Sequence, residues 1–366
     1  MIYREFGDSG VKVSAVSFGA MRWPSEEAAF KIINRGLDLG VNYMDTSTGY
    51  VEGKSQGWSG KAVKDRRDEI LFSSKSSFGK APSADDVRKA IDASLADTGL
   101  EYFDIYQLWG LGKMEVVTEA TAKGGTVEGV RKAMDEGLVK HGMGFTFHGP
   151  GEVFRAAIDT GEFICATVSY NLLKRAEEEQ IAYASEKGVG MVIMNPMAGG
   201  VLALAGAEQL DFLRAGGSGP AAGALRFLLA NTNITTSIIG FTAVEEVDQA
   251  AAALEGAEQL DEAFRQDLIE KMDAAKLIEG DFCTGCEYCK ECPSKVNPAK
   301  YMGAMRDFVV YGVAEGDLRH WLLSKYPHQS LPDVLACCTE CGECEEKCPQ
   351  KLEIIEAIRQ GKELLA

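Results

Sequence analysis

The chain has 366 residues, a hydrophobic content of 46 % and a formal net charge of -17 at pH 7. That length suits one large domain with a small one, and the charge argues against nucleic acid or an anionic membrane surface as partner. No apolar run approaches the roughly 18 residues of a membrane span. The opening MIYREFGDSG carries no apolar signal region, so the expected compartment is the cytoplasm.

In chain order, Tyr3–Phe6 and Val11–Ala15 read as a hairpin around Gly7-Asp8-Ser9-Gly10, running into a strand at Ala15–Phe18. Helical periodicity over Ser25–Leu39 starts at an N-cap serine, and Val41–Met44 is a buried-type strand ending in Asp45. Lys54–Lys64 is a helix, Ile70–Ser74 a strand ending in Lys75, and Ser83–Thr98 an amphipathic helix closed by Gly99. Phe103–Leu108 is a strand ending in Trp109. The same beat continues with helices at Thr126–Glu136, Gly151–Asp159, Arg175–Lys187 and Gly219–Ala230. Strands fall between them at Val139–Phe145, Phe163–Ser169, Val189–Met194 and Thr235–Ile239. Helices at Glu245–Leu254 and Asp261–Ala275 follow. Short strands alternating with longer helices imply a parallel sheet, and eight of them imply an α/β fold closed as a (β/α)8 TIM barrel. An open doubly wound sheet is the alternative, without a GxGxxG after the first strand to support it.

Barrel chemistry sits at the C-terminal strand ends. Asp45, Tyr50, Lys75, Trp109, Thr146, Tyr170, Asn171 and Asn195 fall there. An Asp and a Lys on neighbouring tips can pair and lower the pKa of a nearby tyrosine for proton donation. A plain salt bridge capping the barrel is the bland alternative. Trp23, Trp58, Phe78 and Trp109 are candidate walls for a flat substrate, or side chains packed under loops. His148 follows the fifth strand and reads as a surface-loop histidine.

Nine of the ten cysteines fall after residue 280. The first run holds Cys283, Cys286, Cys289 and Cys292-Pro293; the second holds Cys338, Cys341, Cys344 and Cys348-Pro349, with Cys337 just ahead. The second run has the C-x2-C-x2-C-x3-C-P spacing of [4Fe-4S] ligation, in which the Cys before the proline serves the other cluster. One cluster then takes Cys283, Cys286, Cys289 and Cys348, and the other Cys338, Cys341, Cys344 and Cys292. A tetrahedral zinc site has no use for a third and fourth tandem Cys, and a disulfide framework belongs to secreted chains. Cys337 reads as a spare thiol and Cys165 as a small core residue. Oxygen-sensitive clusters suit an anaerobic setting. Pro298–Tyr311, Leu318–Tyr326 and Leu352–Leu365 look helical, so an α-helical ferredoxin-like domain is expected at 279–366, after a barrel at 1–278. The acidic residues crowding both cysteine runs would steer a redox partner through a basic face, or serve solubility alone.

Residues 1–275 resemble the aldo-keto reductase family. The resemblance rests on Tyr3-Arg4-Glu5-Phe6-Gly7 with Gly10-Val11-Lys12-Val13-Ser14 and Gly19, and on Asn42-Tyr43-Met44-Asp45-Thr46 with Tyr50. Ser74-Lys75, Tyr170-Asn171-Leu172-Leu173, Pro196-Met197-Ala198-Gly199-Gly200 and Ala224-Leu225-Arg226-Phe227 extend it. The tail resembles the ferredoxin-like extension of an iron–sulfur branch. The resemblance implies a nicotinamide cofactor across the barrel mouth giving hydride to a carbonyl, with Tyr50 as proton donor helped by Lys75 and Asp45. The family's histidine is Trp109 here, whose indole donates a hydrogen bond but relays no proton.

The same resemblance implies nucleotide contacts at Gly19, Thr146, Tyr170, Asn171, Met194, Asn195, Gly200, Gly240, Thr242 and Glu246. Gly199-Gly200 and Gly216-Gly217-Ser218-Gly219 are loops whose amides can approach a phosphate. Glutamates at 245 and 246 repel a 2′-phosphate and suit a ribose hydroxyl. The site therefore holds NAD(P)H with a preference for NAD, or nucleotide poorly, or none, and a flavin stays open.

The expected function is an oxidoreductase that reduces a carbonyl or activated double bond of a small-molecule substrate. Two [4Fe-4S] clusters pass it electrons from a redox partner such as a ferredoxin-like carrier. The alternatives are a non-catalytic electron-transfer module whose barrel only docks a partner, and clusters that are structural staples alone. Oligomeric state is not legible in the sequence.

Overall fold

The computed structural model describes residues 1–204, 208–214, 219–275, 282–310, 317–326 and 330–365. An antiparallel hairpin, β1 (Tyr3–Glu5) and β2 (Lys12–Ser14), leads into β3 (Val16–Gly19). Next come α1 (Glu26–Asp38), β4 (Tyr43–Asp45), α2 (Ser55–Val63), β5 (Leu71–Ser77), α3 (Ala84–Thr98) and β6 (Phe103–Trp109). The pattern continues through α4 (Met114–Thr121), α5 (Thr126–Asp135), β7 (Val139–Phe147), α6 (Gly151–Asp159), β8 (Phe163–Ser169) and α7 (Glu178–Glu186). It ends with β9 (Gly190–Met194), α8 (Pro220–Leu229), β10 (Thr236–Ile239), α9 (Val244–Ala252) and α10 (Glu262–Ala275). Strands β3 to β10 close into a parallel barrel, with Ser237 of β10 opposite Val16 of β3.

Local chemistry sets the element ends. The Ser25 hydroxyl accepts from the Ala28 amide at 3.1 Å, and that of Ser83 from Asp86 at 3.2 Å, each capping a helix N-terminus. Gly99 closes α3 at φ 66, a left-handed turn that glycine adopts without strain. Tyr43, Ile105, Cys165, Val192 and Ile238 fill the barrel interior, joined by Phe6 and Val13 from the hairpin. The Asp8 amide bonds the Gly188 carbonyl just before β9, so the hairpin plugs the N-terminal end and leaves the C-terminal end as the mouth.

Three differences from the sequence expectation matter. β5 and β7 run further, to Ser77 and Phe147, so Lys75 and Thr146 lie within strands rather than beyond their tips. α4 was not anticipated, because it buries only Val117 and Ala120 and is too short for a clear period. The short helices of the tail at Leu331–Ala336 and Glu343–Glu346 escaped for the same reason.

The tail comprises α11 (Pro298–Val310), α12 (Leu318–Ser324), α13 (Leu331–Ala336), α14 (Glu343–Glu346) and α15 (Ile354–Leu365). It has its own core, including Tyr301, Leu322, Leu335 and Ile358 together with Cys289 and Cys348. A Cβ on Gly361 would lie 2.2 Å from the Tyr301 hydroxyl, which donates to Ala357 O at 3.0 Å; glycine lets α15 approach α11 this closely. The expected domain junction at 278/279 and Gly216, Gly217 and Ser218 of the glycine-rich loop lie outside the described residues. Among the described residues no helix is long and apolar enough to cross a membrane.

Candidate active site

A buried polar chain crosses the barrel below its mouth. Lys75 and Asp45, 2 % and 1 % exposed at their side chains, form an ion pair, and Lys75 Nζ also donates to Thr46 O at 3.0 Å. The second Asp45 oxygen accepts from Gln107 Nε2 at 2.6 Å, and the same amide donates to Ser73 Oγ at 2.9 Å. Thr167 Oγ1 donates to Gln107 Oε1 at 2.7 Å. An unpaired charge at this depth would cost several kcal/mol, so the pair exists because each partner and Gln107 satisfy the others. The sequence reading missed Gln107. Its signal was a polar residue two before Trp109 in a strand, hence on the same face of β6.

Above this chain stand three aromatic rings. Lys75 Nζ lies 4.7 Å from the centroid of Tyr50, and the Tyr50 and Trp109 centroids are 6.3 Å apart. The third ring is Tyr288, 5.7 Å from Trp109, and it comes from the first cysteine run, between Cys286 and Cys289. Burial and the Asp45 charge hold the Tyr50 phenol well above its ordinary pKa. This reverses the expected direction, because burial first, and the Asp45 charge with it, oppose ionisation of the phenol. Tyr50 is therefore a neutral O–H donor. Tyr288 is raised well above its ordinary value too, by burial first and then by Tyr50.

The strand ends around these rings carry unpartnered polar atoms. Thr146, paired in register with Trp109, has a buried hydroxyl without a partner among the described residues, and so do Ser47 and Ser169; the Asn195 amide nitrogen is a fourth such atom. Asn171 is committed elsewhere, accepting from the amides of Leu173 and Lys174, each at 3.0 Å. Tyr170 is not part of the mouth: its ring stacks on Phe227 and its hydroxyl meets Glu178 and Arg265 in the helix layer. Met194 ends β9 against the barrel interior. Among the proposed walls, Trp23 is a core residue donating to Ser59 Oγ at 3.1 Å, and Trp58 and Phe78 pack on the core. His148 lies half-buried in the loop after β7; burial lowers its pKa to about 4, aided by Lys174 and Lys351.

The remaining nucleotide candidates are engaged within the protein. Gly19 pairs in register with Asp45, and a Cβ on Gly240 would lie 2.9 Å from Arg22 Cγ. The Gly199 amide donates to Asn195 Oδ1 at 2.6 Å, and that of Gly200 to Met197 O at 2.9 Å. Glu246 folds back on its own helix start, accepting from the Thr242 amide at 2.6 Å and the Thr242 hydroxyl at 3.0 Å.

The cysteine runs surround two cavities. One is lined by Cys283, Cys286, Cys289 and Cys348, with Tyr288 and Gln350 in its wall. The other is lined by Cys292, Cys338, Cys341 and Cys344 with Cys289 at its border, beside Glu291, Glu340 and Glu343. In each cavity the Cys before one proline meets cysteines of the opposite run, a thiol donor set of the kind that suits 4Fe-4S ligation. Cys337 lines neither cavity and points to Asp333 O. Cys165 is fully buried in the barrel interior. The first cavity sits over the barrel mouth. Arg22 Nη2 donates to Gly285 O at 2.9 Å, and Lys174 Nζ to Gln350 Oε1 at 2.7 Å.

Comparison with known proteins agrees with this architecture. Residues 15–271 match the Aldo/keto reductase family, and residues 282–353 match a 4Fe-4S dicluster domain. The uncharacterized oxidoreductase YqkF of Bacillus subtilis (strain 168) is 25 % identical over 209 residues, 54 % of this chain and 66 % of that relative. L-galactose dehydrogenase of Arabidopsis thaliana is 27 % identical over 305 residues, 74 % of this chain and 93 % of the relative. The holo form of aldo-keto reductase AKR11C1 from Bacillus halodurans superposes with a TM-score of 0.65 at 27 % identity, covering 76 % of this chain and 98 % of that one. With its barrel matched along most of its length, this chain belongs to the aldo/keto reductase family and carries a 4Fe-4S dicluster domain behind the barrel.

Proposed function

We propose that this protein is an oxidoreductase that reduces a carbonyl or activated double bond of a small molecule held in the barrel mouth. The observation that carries the proposal is Tyr288, a cysteine-run residue packed on Trp109 beside Tyr50 and the Lys75–Asp45 pair. Cys283, Cys286, Cys289 and Cys348 would hold one [4Fe-4S] cluster, and Cys292, Cys338, Cys341 and Cys344 the other. Bound there, the clusters supply single electrons taken from a reduced one-electron carrier of the ferredoxin class.

Reducing a carbonyl to an alcohol consumes two electrons and two protons. Tyr50, neutral at physiological pH, gives the proton to oxygen; solvent supplies the proton to carbon and reprotonates Tyr50. Lys75, fixed by Asp45 and 4.7 Å from the ring, stabilises the phenolate as it forms. Asp45 is locked in turn by Gln107. The unpartnered groups of Thr146, Ser169 and Asn195 offer hydrogen bonds that orient a polar substrate. With cluster-loaded protein and a one-electron donor, Tyr50→Phe is expected to cut turnover by about 10²–10⁴-fold. Full turnover in that variant overturns the proposal. Trp109 in the place of the family's histidine favours a second possibility, a non-catalytic electron-transfer module. Such a module would show no substrate-dependent reoxidation of reduced protein at all.

A further inference from the structure

The first cysteine run lies where the family's dinucleotide is expected to cross the barrel. Thr284 rests against the turn at Gly199: a Cβ there would lie 2.2 Å from Thr284 O, and Gly199 sits at φ +69. Arg22, at the end of the first barrel strand and against Gly240, spends Nη2 on the carbonyls of Gly285 at 2.9 Å and Thr284 at 3.4 Å. A cation between two glycine-lined strand ends suits a pyrophosphate, and here it holds main-chain oxygens. Arg306 Nη1 adds a further tie to the same segment, donating to Cys283 O at 3.2 Å.

The groups that would receive phosphates are also committed. The amides of Gly199 and Gly200 bond Asn195 Oδ1 and Met197 O. At the adenosine end, the Glu246 carboxylate covers the amides of Thr242 and Ala243, at 2.6 and 3.4 Å, and places negative charge at the helix start. The substrate end differs. There Thr146, Ser169 and Asn195 keep buried polar atoms without partners among the described residues. The mouth is thus furnished for a small polar ligand and closed along the route to a dinucleotide.

We propose that Thr284–Tyr288 stands in the place of the dinucleotide, with Tyr288 closing the mouth against Trp109. The site then receives electrons from the cavity behind Tyr288 and no hydride from NADH or NADPH. The electron part rests on the function proposed above; the exclusion of nucleotide does not.

The test uses full-length, anaerobically cluster-loaded protein titrated with NADH and NADPH by calorimetry. No saturable binding of either is expected up to about 1 mM. Saturable binding in the micromolar range overturns the exclusion while leaving the role of Tyr50 standing. Tyr288→Ala tests the seating, read as Trp109 emission isolated by subtracting the Trp109→Phe background. A red shift with iron content retained is expected; unchanged emission contradicts the seating. Should Tyr288→Ala lose iron, Tyr288→Leu is read in the same way, and the wild-type titration decides independently.

Discussion

In the proposed mechanism Asp45 serves both stability and chemistry. Its carboxylate sits inside the barrel because Lys75 and Gln107 occupy its two oxygens, and the same arrangement sets a cation under Tyr50. Strand-tip position made Asp45, Lys75 and Trp109 legible in the sequence. Gln107 was hidden because one polar residue inside a strand looks the same whether it faces solvent or a buried carboxylate. Tyr170 misled for the opposite reason. The residue after a strand can turn either way, and the pocket of Phe227 and Arg265 draws this one outward. His148 carries a prediction of its own. Its folded pKa, about 4, lies below the ordinary 6.5, so between those values the unfolded chain binds a proton that the folded chain does not. Stability therefore falls as pH drops from 6.5 towards 4, by on the order of 1–3 kcal/mol. Chemical denaturation across that range should find the slope reduced in His148→Gln; an equal slope in both proteins counts against it.

At the scale of elements, the strands that run past their expected ends and the two cysteine runs decide the site. Extending β5 to Ser77 draws Lys75 inside the barrel, and extending β7 to Phe147 sets Thr146 beside Trp109. Hydrophobic periodicity gives the existence of such strands well and their ends poorly, since a buried strand stops only when its neighbours stop pairing. The proposed crossed cysteine pairing comes from spacing, because proline turns the preceding Cys away from its own run. What the sequence could not show is that the first run lies on the barrel, a contact made by Thr284, Gly285 and Tyr288, which stand between the cysteines of the spacing pattern and are not part of it. Cys348→Ser should therefore deplete the cavity of Cys283, Cys286 and Cys289, although it belongs to the second run. Iron is expected to fall from about eight to about four atoms per chain, while Cys337→Ser keeps the full complement. Retention of all iron in Cys348→Ser would refute the crossed pairing.

For the whole molecule, the barrel fold and a cluster-bearing tail were both legible, because a repeated strand–helix beat and tandem cysteines are long-range patterns. Their docking was not, since it depends on shape. The second cavity carries Glu291, Glu340 and Glu343 at its rim in a chain of net charge -17. A basic one-electron carrier approaching that rim should be steered, its rate of reducing the protein falling about tenfold or more from 0.01 to 0.15 M salt. A rate independent of salt would remove steering from the account. The central claim is that electrons entering through the cysteine cavities leave through the Tyr50 site. It is tested most directly by reducing cluster-loaded protein without oxygen, mixing it with a panel of carbonyl and enone substrates, and following the visible absorbance through one turnover. The account predicts substrate-dependent reoxidation in the wild type, about 10²–10⁴-fold slower in Tyr50→Phe; equal rates in the two proteins would contradict it.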